Sequence, residues 1–261
     1  MSRLSSSRDN RIGKVTHEDR NLEEQVVSKA AEMTLSSQLD AAEKIEVDVQ
    51  TDLSEIIQGK AEEVDISGQG LVMEKDIRVQ EMELHTDKVD INSLGALFGQ
   101  IELDRPVDAN GRIVLTEPDI NRALNSNYVL SKAQNYELNV DGKTVTVSMQ
   151  QMELHLPDGD KMVFIAKSLI REMGNTRQLG FTATFRPRTK DRPVLVENFQ
   201  CHDGQSTSID FAVALLEKIK EVTHLPYFEM GQMRLRVEEM DVQPGKITLQ
   251  VQAHVRQIPS S

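Results

Sequence analysis

Tryptophan is missing from this chain of 261 residues, cysteine occurs once, and aromatic residues make up only 4%. The single cysteine, Cys201, excludes an intrachain disulfide framework and fits a reducing, cytoplasmic setting. No run approaches the roughly 18 apolar residues that a membrane-spanning helix needs. The stretch Met1–Lys14 is rich in Ser and Arg and lacks an apolar core, so it does not read as a secretory signal. Excess positive charge is lacking too. The formal net charge is −12, which excludes general nucleic-acid binding and non-specific adhesion to anionic membranes.

Motifs of catalysis are also missing. There is no Gly-rich phosphate loop, no Walker lysine, no G-x-S-x-G elbow and no H-E-x-x-H. His17, His85, His155, His202, His224 and His254 are scattered, none within a helical turn of another, and the thiolates of a zinc site are absent. Cys201-His202-Asp203 sits where a strand is expected, and neighbouring strand side chains point to opposite faces. No catalytic residue, metal or cofactor is therefore expected.

What is present is an ordinary folded composition, 38% hydrophobic and 28% charged, long enough to bury a core. Charge is uneven. Asp40–Asp90 holds 15 acidic and 5 basic residues, whereas Lys161–Glu197 holds 8 basic and 3 acidic. A local basic stretch on an acidic protein can steer anions to one place.

Residues 1–18 lack apolar periodicity and read as a disordered segment; 19–257 read as one α+β domain. Leu22, Val26, Val27, Ala30 and Met33 recur at helical steps, which predicts an amphipathic helix over Asp19–Glu43 that packs on its own domain. Its polar face is acidic, which disfavours a membrane surface. At Ile45 the period changes to two, and Ile45, Val47 and Val49 mark a half-buried strand. Asp52–Gly59 reads as a short capped helix. Short strands follow at Val64/Ile66, Leu71/Met73, Ile77/Val79, Met82/Leu84 and Val89/Ile91. Later ones fall at 136–138, 145–149, 152–156, 162–166, 181–185, 194–199, 233–237 and 247–255. Tight turns are expected at Asn110-Gly111, Asp141-Gly142, Asp158-Gly159 and Pro244-Gly245. Two further helices are predicted. One is Glu117–Asn125, capped by Thr116 with Asp119 in its first turn. The other is Ser208–Thr223, burying Phe211, Leu215, Ile219 and Val222. Many half-polar strands without βαβ alternation imply antiparallel sheet, wrapped around at least one long helix. Met82-Glu-Leu-His85 recurs as Met152-Glu-Leu-His155, and Asp104-Arg-Pro-Val107 as Asp191-Arg-Pro-Val194, in the same order, as a duplicated unit would show.

Binding features are better represented than catalytic ones. Leu94, Leu97 and Phe98 form a short Gly-flanked apolar segment suited to entering lipid or capping a cavity. Phe211 and Leu215 would line the same interior. Arg186, Arg188, Lys190 and Arg192 recur at period two between Pro187 and Pro193; if extended, they present four cations on one side, suited to a phosphate headgroup.

Five stretches carry a family resemblance. Ala42-Glu-Lys-Ile-Glu-Val-Asp-Val49, Leu53-Ser-Glu-Ile-Ile-Gln-Gly59 and Val64-Asp-Ile-Ser-Gly-Gln-Gly-Leu-Val72 resemble the opening of the bacterial LmeA-like phospholipid-binding family. Arg112-Ile-Val-Leu-Thr-Glu-Pro-Asp-Ile-Asn-Arg-Ala-Leu124 resembles its strand and Thr-Glu-x-Asp-Leu-Asn helix start, and Met233–Val255 its final hairpin. The resemblance implies a curved antiparallel sheet with helices, of TULIP-like kind, that binds lipid and has no catalytic residues. The expected ligand is a phospholipid or another apolar molecule, held by a protein peripheral to a membrane surface. Two other classes stay open: a cytosolic adaptor with a protein partner, and a hydrolase. A lipid carrier needs an apolar cavity of about 300 Å³ or more.

Overall fold

The computed structural model describes residues 22–73, 76–91, 103–202, 208–224, 228–230 and 233–256. Over these residues strand makes up 58% and helix 23%. In chain order the strands are β1 (Lys44–Gln50), β2 (Lys60–Met73), β3 (Ile77–Asp90), β4 (Val107–Thr116), β5 (Tyr136–Val140) and β6 (Lys143–His155). They continue with β7 (Met162–Glu172), β8 (Asn175–Arg186), β9 (Leu195–His202), β10 (Phe228–Met230), β11 (Met233–Gln243) and β12 (Lys246–Val255). The helices are α1 (Leu22–Ser37), α2 (Leu53–Ile57), α3 (Glu117–Leu124), α4 (Asn127–Lys132) and α5 (Ile209–Thr223).

All strand pairings are antiparallel, as the half-polar strand pattern requires. They form a seven-stranded sheet in the order β1-β2-β3-β4-β12-β11-β10 and a five-stranded sheet in the order β5-β6-β7-β8-β9. The curled sheets make a half-barrel, so the expected α+β class with a curved antiparallel sheet is what the chain adopts.

The strands are longer than the alternation suggests. Val64/Ile66 and Leu71/Met73 belong to one strand, and Ile77/Val79, Met82/Leu84 and Val89 to another, with Ile91 just beyond it in an isolated bridge to Leu103, because polar or glycine positions between them still pair across the ladder. Asn110-Gly111 is not a turn but lies inside β4. A Cβ at Gly111 would stand 2.6 Å from the Glu83 carbonyl oxygen, so glycine is there to let two backbones approach. The true hairpin turns hold left-handed residues. Asp141-Gly142 (φ 50° and 77°) was legible; Met173-Gly174 (φ 47° and 84°) was not, since methionine does not signal a turn.

Two helices start at the expected caps, Asp52 and Thr116, and Ser208 caps a third; the first helix, expected over Asp19–Glu43, ends at Ser37. Asp52, Thr116 and Ser208 each accept a hydrogen bond from the backbone N–H three residues on. Two faces differ from expectation. On α1, Leu22, Val26 and Met33 are 78%, 69% and 66% exposed, while Ser28 is buried against β1. The Ser28 hydroxyl accepts the Val49 N–H at 3.0 Å, and satisfying that open strand edge turns the apolar stripe outward. On α5, Phe211 and Leu215 are buried in a core with Val145, Val147, Ile170 and Phe181, but Val222 is 42% exposed. Helix α5 thus covers the five-stranded sheet together with Ala133, Leu130, Val129 and Leu124, and its Ile219 reaches the cluster around Leu156 and Ile247 as well.

Helix α3 joins the two sheets. Only the first half of β6 pairs with β5, leaving the 149–156 edge without a strand neighbour among the described residues. Glu117, Asn121 and Asn125 supply one from side chains. The Glu117 carboxylate accepts the Leu156 N–H at 2.7 Å. The Asn121 amide accepts the Leu154 N–H at 2.7 Å and donates to the Leu154 carbonyl at 2.9 Å. Asn125 does the same to Met152 at 3.1 and 2.6 Å. From its first turn, Asp119, buried, accepts from Arg78 of β3 at 2.9 Å and from the Thr116 hydroxyl at 2.6 Å. An apolar cluster of Leu156, Met162, Phe185, Val242 and Ile247 fills the junction.

Two stability measurements check this packing. Leu215→Ala is expected to cost about 2–5 kcal/mol in a urea melt, and Val222→Ala less than about 0.5 kcal/mol. Asn121→Leu leaves two backbone groups of β6 unpaired and is expected to cost about 2–4 kcal/mol. A cost near zero at Asn121 would show that water replaces the amide.

Candidate functional site

Cross-strand register divides the seven-stranded sheet into two chemically opposite faces. One rung runs Val47, Ile66, Leu84, Gly111, Val251, Val237 across β1, β2, β3, β4, β12 and β11. The rung two residues away runs Ile45, Gly68, Met82, Ile113, Leu249, Met240. Between them, on the opposite face, lies Glu46, Ser67, Glu83, Arg112, Gln250, Glu239. Over these three rungs one side carries apolar side chains with two glycines, Gly68 and Gly111, and the other is polar; beyond them the polar side runs into buried Val79 and Val114. On the apolar side Val47, Val237 and Val251 are buried, while Ile66, Met82, Leu84 and Ile113 remain partly accessible. A curved sheet with a partly accessible apolar face can take up an elongated apolar ligand.

Beside this face, α1 and β1 flank an open groove of about 580 Å³. It is lined by Lys29, Glu32, Ser36, Ala42, Glu43, Lys44, Ile45, Glu46 and Val47. Its walls are mostly charged, so it is not itself the dry cavity expected of a lipid carrier.

The polar face carries one feature that sequence reading missed. Glu63, Asp65 and His85 bring one ligand atom each within 4.8 Å of one another, a geometry that could hold a metal ion. His85 Nδ1 lies 2.9 Å from Asp65 and His85 Nε2 lies 3.3 Å from Asp87. Antiparallel register opposes Asp65 to His85 and Glu63 to Asp87. The signal was the period-two pairing of Glu63-x-Asp65 with His85-x-Asp87, which reads only once the hairpin register is known. The hydrogen bond to Asp65 raises the His85 pKa. Burial, and then the neighbouring Asp65 charge, raise that of Glu63. The echoed His155 meets Glu117 instead, at 3.1 Å. Chiefly the Leu156 N–H, and then His155, hold the Glu117 carboxyl below its usual range.

The remaining sequence candidates are spread out. Leu94, Leu97 and Phe98 lie outside the described residues. Phe211 and Leu215 belong to the filled core of the five-stranded sheet, not to the apolar face of the larger one. The basic stretch does not run extended through its length. Thr189 and Arg192 bond each other's backbones at 2.9 and 3.3 Å, which folds the segment and breaks the period-two presentation. Arg186 donates to Glu197 at 2.6 Å and Lys190 lies 3.8 Å from Glu239, so acidic neighbours meet two of the four cations. The Arg188 carbonyl accepts the Met240 N–H at 2.9 Å and pins the loop to β11. Cys201 and His202 point to opposite faces: Cys201 packs on the core, and His202 Nε2 lies 2.9 Å from the Thr182 hydroxyl.

Comparison with protein families gives a match to LmeA-like phospholipid-binding over residues 20–252. That covers nearly the whole chain. The chain belongs to the LmeA-like phospholipid-binding family. No curated protein and no solved structure matches it. The stretches that resemble the LmeA-like family fall on β1, α2, β2, β4 with α3, and β11 with β12. These elements build the seven-stranded sheet and its junction, and the family match runs on through the five-stranded sheet.

The His85 cluster gives a pH prediction. Its folded pKa lies above its unfolded value, so its contribution to stability is full below the unfolded pKa, near 6.5, and is lost as pH rises through the folded value. Asp65→Asn should bring the His85 pKa, followed by NMR, back down. A titration unchanged by that substitution would show that Asp65 does not hold the imidazolium.

Proposed function

We propose that this chain binds and carries phospholipid without catalysing a reaction on it, working peripherally at a membrane from the cytoplasm. One observation carries this reading: the apolar face that continues rung after rung across the seven-stranded half-barrel. Burial of acyl chain contributes roughly 0.8 kcal/mol per methylene, so a face this long can hold a lipid without a dense set of polar contacts. Membership of a phospholipid-binding family supports the ligand class. The lone Cys201 supports a reducing compartment. A protein-docking reading is favoured by one specific feature, the exposed Leu22, Val26 and Met33 stripe of α1.

The test is transfer of labelled phospholipid between donor and acceptor vesicles, with mass analysis of the lipid recovered. The expected outcome is transfer that scales with protein and returns intact lipid. Leu84→Asp, on the apolar face, should reduce transfer about tenfold or more, whereas Glu83→Ala, its neighbour on the polar face, should leave it unchanged. Released fatty acid or headgroup would make the protein a hydrolase, and no transfer at all would favour docking.

A further inference from the structure

Resting on the phospholipid reading, we propose that the groove between α1 and β1 seats a zwitterionic headgroup, with the acyl chains running from it onto the apolar face of the half-barrel. The two surfaces are continuous. Ile45 and Val47 line the groove, and they are also the β1 members of the two apolar rungs. Lys44 and Glu46 belong to the polar face of β1 and Ile45 and Val47 to the apolar one, so a molecule with its polar end in the groove passes over this edge strand to meet Val47, then Ile66 and Leu84, along one register line.

Size and charge select the ligand. About 580 Å³ lies within the range that small-molecule sites use. The rim carries both signs, close together. Lys29 sits 2.6 Å from Glu32 and Lys44 sits 2.7 Å from Glu46. A phosphate can take the two ammonium groups while a headgroup ammonium takes the carboxylates, exchanging one set of ion pairs for another without leaving a charge unmatched. An anionic headgroup has no such exchange. It would face Glu32 and Glu46 once it took their lysines, with Glu43 already held by Arg78 at 2.6 Å, and β1 lies in Asp40–Asp90, which holds 15 acidic and 5 basic residues. Ser36 and Ala42 are small, which keeps the groove open. Its position at an edge strand also suits access, because a lipid can slide in without breaking a ladder of strand hydrogen bonds. The Arg186–Arg192 stretch lines no part of this groove.

The experiment incubates the full chain with vesicles of pure phosphatidylcholine, pure phosphatidylethanolamine or pure phosphatidylglycerol and measures co-purifying lipid by native mass spectrometry. The expected result is that the two zwitterionic lipids are retained and phosphatidylglycerol is retained about tenfold less. Lys29→Glu with Lys44→Glu changes two side chains that are 64% and 56% exposed, so the fold is kept. That variant should retain roughly tenfold less zwitterionic lipid. Ser36→Trp with Ala42→Trp should do the same by filling the groove, with circular dichroism unchanged. If the parent chain retains no phospholipid of any kind, the phospholipid reading itself falls. Should the parent retain lipid and the lysine variant retain as much, the groove is not the seat and only the wider reading survives. A preference for phosphatidylglycerol would overturn the zwitterionic assignment.

Discussion

The second half of β6 is a strand edge inside the molecule, and the rest of the architecture depends on how that edge is satisfied. Unpaired backbone groups away from water cost about 1–3 kcal/mol each. Here a helix supplies the partner. Glu117, Asn121 and Asn125 step four residues at a time, about 6 Å along a helix. The β6 residues they meet, Leu156, Leu154 and Met152, step two at a time, about 6.6 Å along a strand. The two spacings are close enough for three successive side chains to bond three successive backbone positions. The first turn of the same helix holds Arg78 of the larger sheet through Asp119. One eight-residue helix thus fixes the five-stranded sheet to the seven-stranded one.

This arrangement divides the work between the sheets. Helix α5 closes the smaller sheet, whose interior of Phe181, Ile170, Leu179 and Val145 is almost completely buried. That sheet is a finished core. The larger sheet has no comparable lid on its central strands among the described residues, and Ile66, Met82, Leu84 and Ile113 keep partial access to the surface. Its stability comes from curl, from the junction cluster and from α1 at one edge. The price of leaving such a face accessible is a reason to connect it to function. A phospholipid is the apolar cover proposed for it, and the chain belongs to a family named for binding that class of lipid.

Local chemistry was readable from the residues. Alternation at Ile45–Val49, the caps at Asp52 and Thr116, and the Asp141-Gly142 turn each follow from side-chain periodicity, capping chemistry or left-handed backbone preference. Long-range arrangement was not readable. The Asn110-Gly111 pair has the composition of a turn, and only the contact with Glu83 from β3 explains it as a strand residue. Asp119 reads as a first-turn carboxylate, which it is, but nothing in the sequence names Arg78, 41 residues away, as its partner. The Glu117, Asn121, Asn125 stripe was visible at four-residue spacing, yet a polar stripe on a helix ordinarily faces water. Phe211 and Leu215 were correctly expected to be buried; which of two sheets they bury against depends on topology. The apolar rungs emerge only when six strands are laid in register.

Hydrogen–deuterium exchange of the full chain with and without phospholipid vesicles tests the account most directly, because it reports which sheet the lipid covers. The account predicts that lipid slows exchange at the amides of β1, β2, β3 and β4, and leaves β5–β9 and α5 as they are. Protection confined to the five-stranded sheet, or protection nowhere in a protein that does retain lipid, would contradict it.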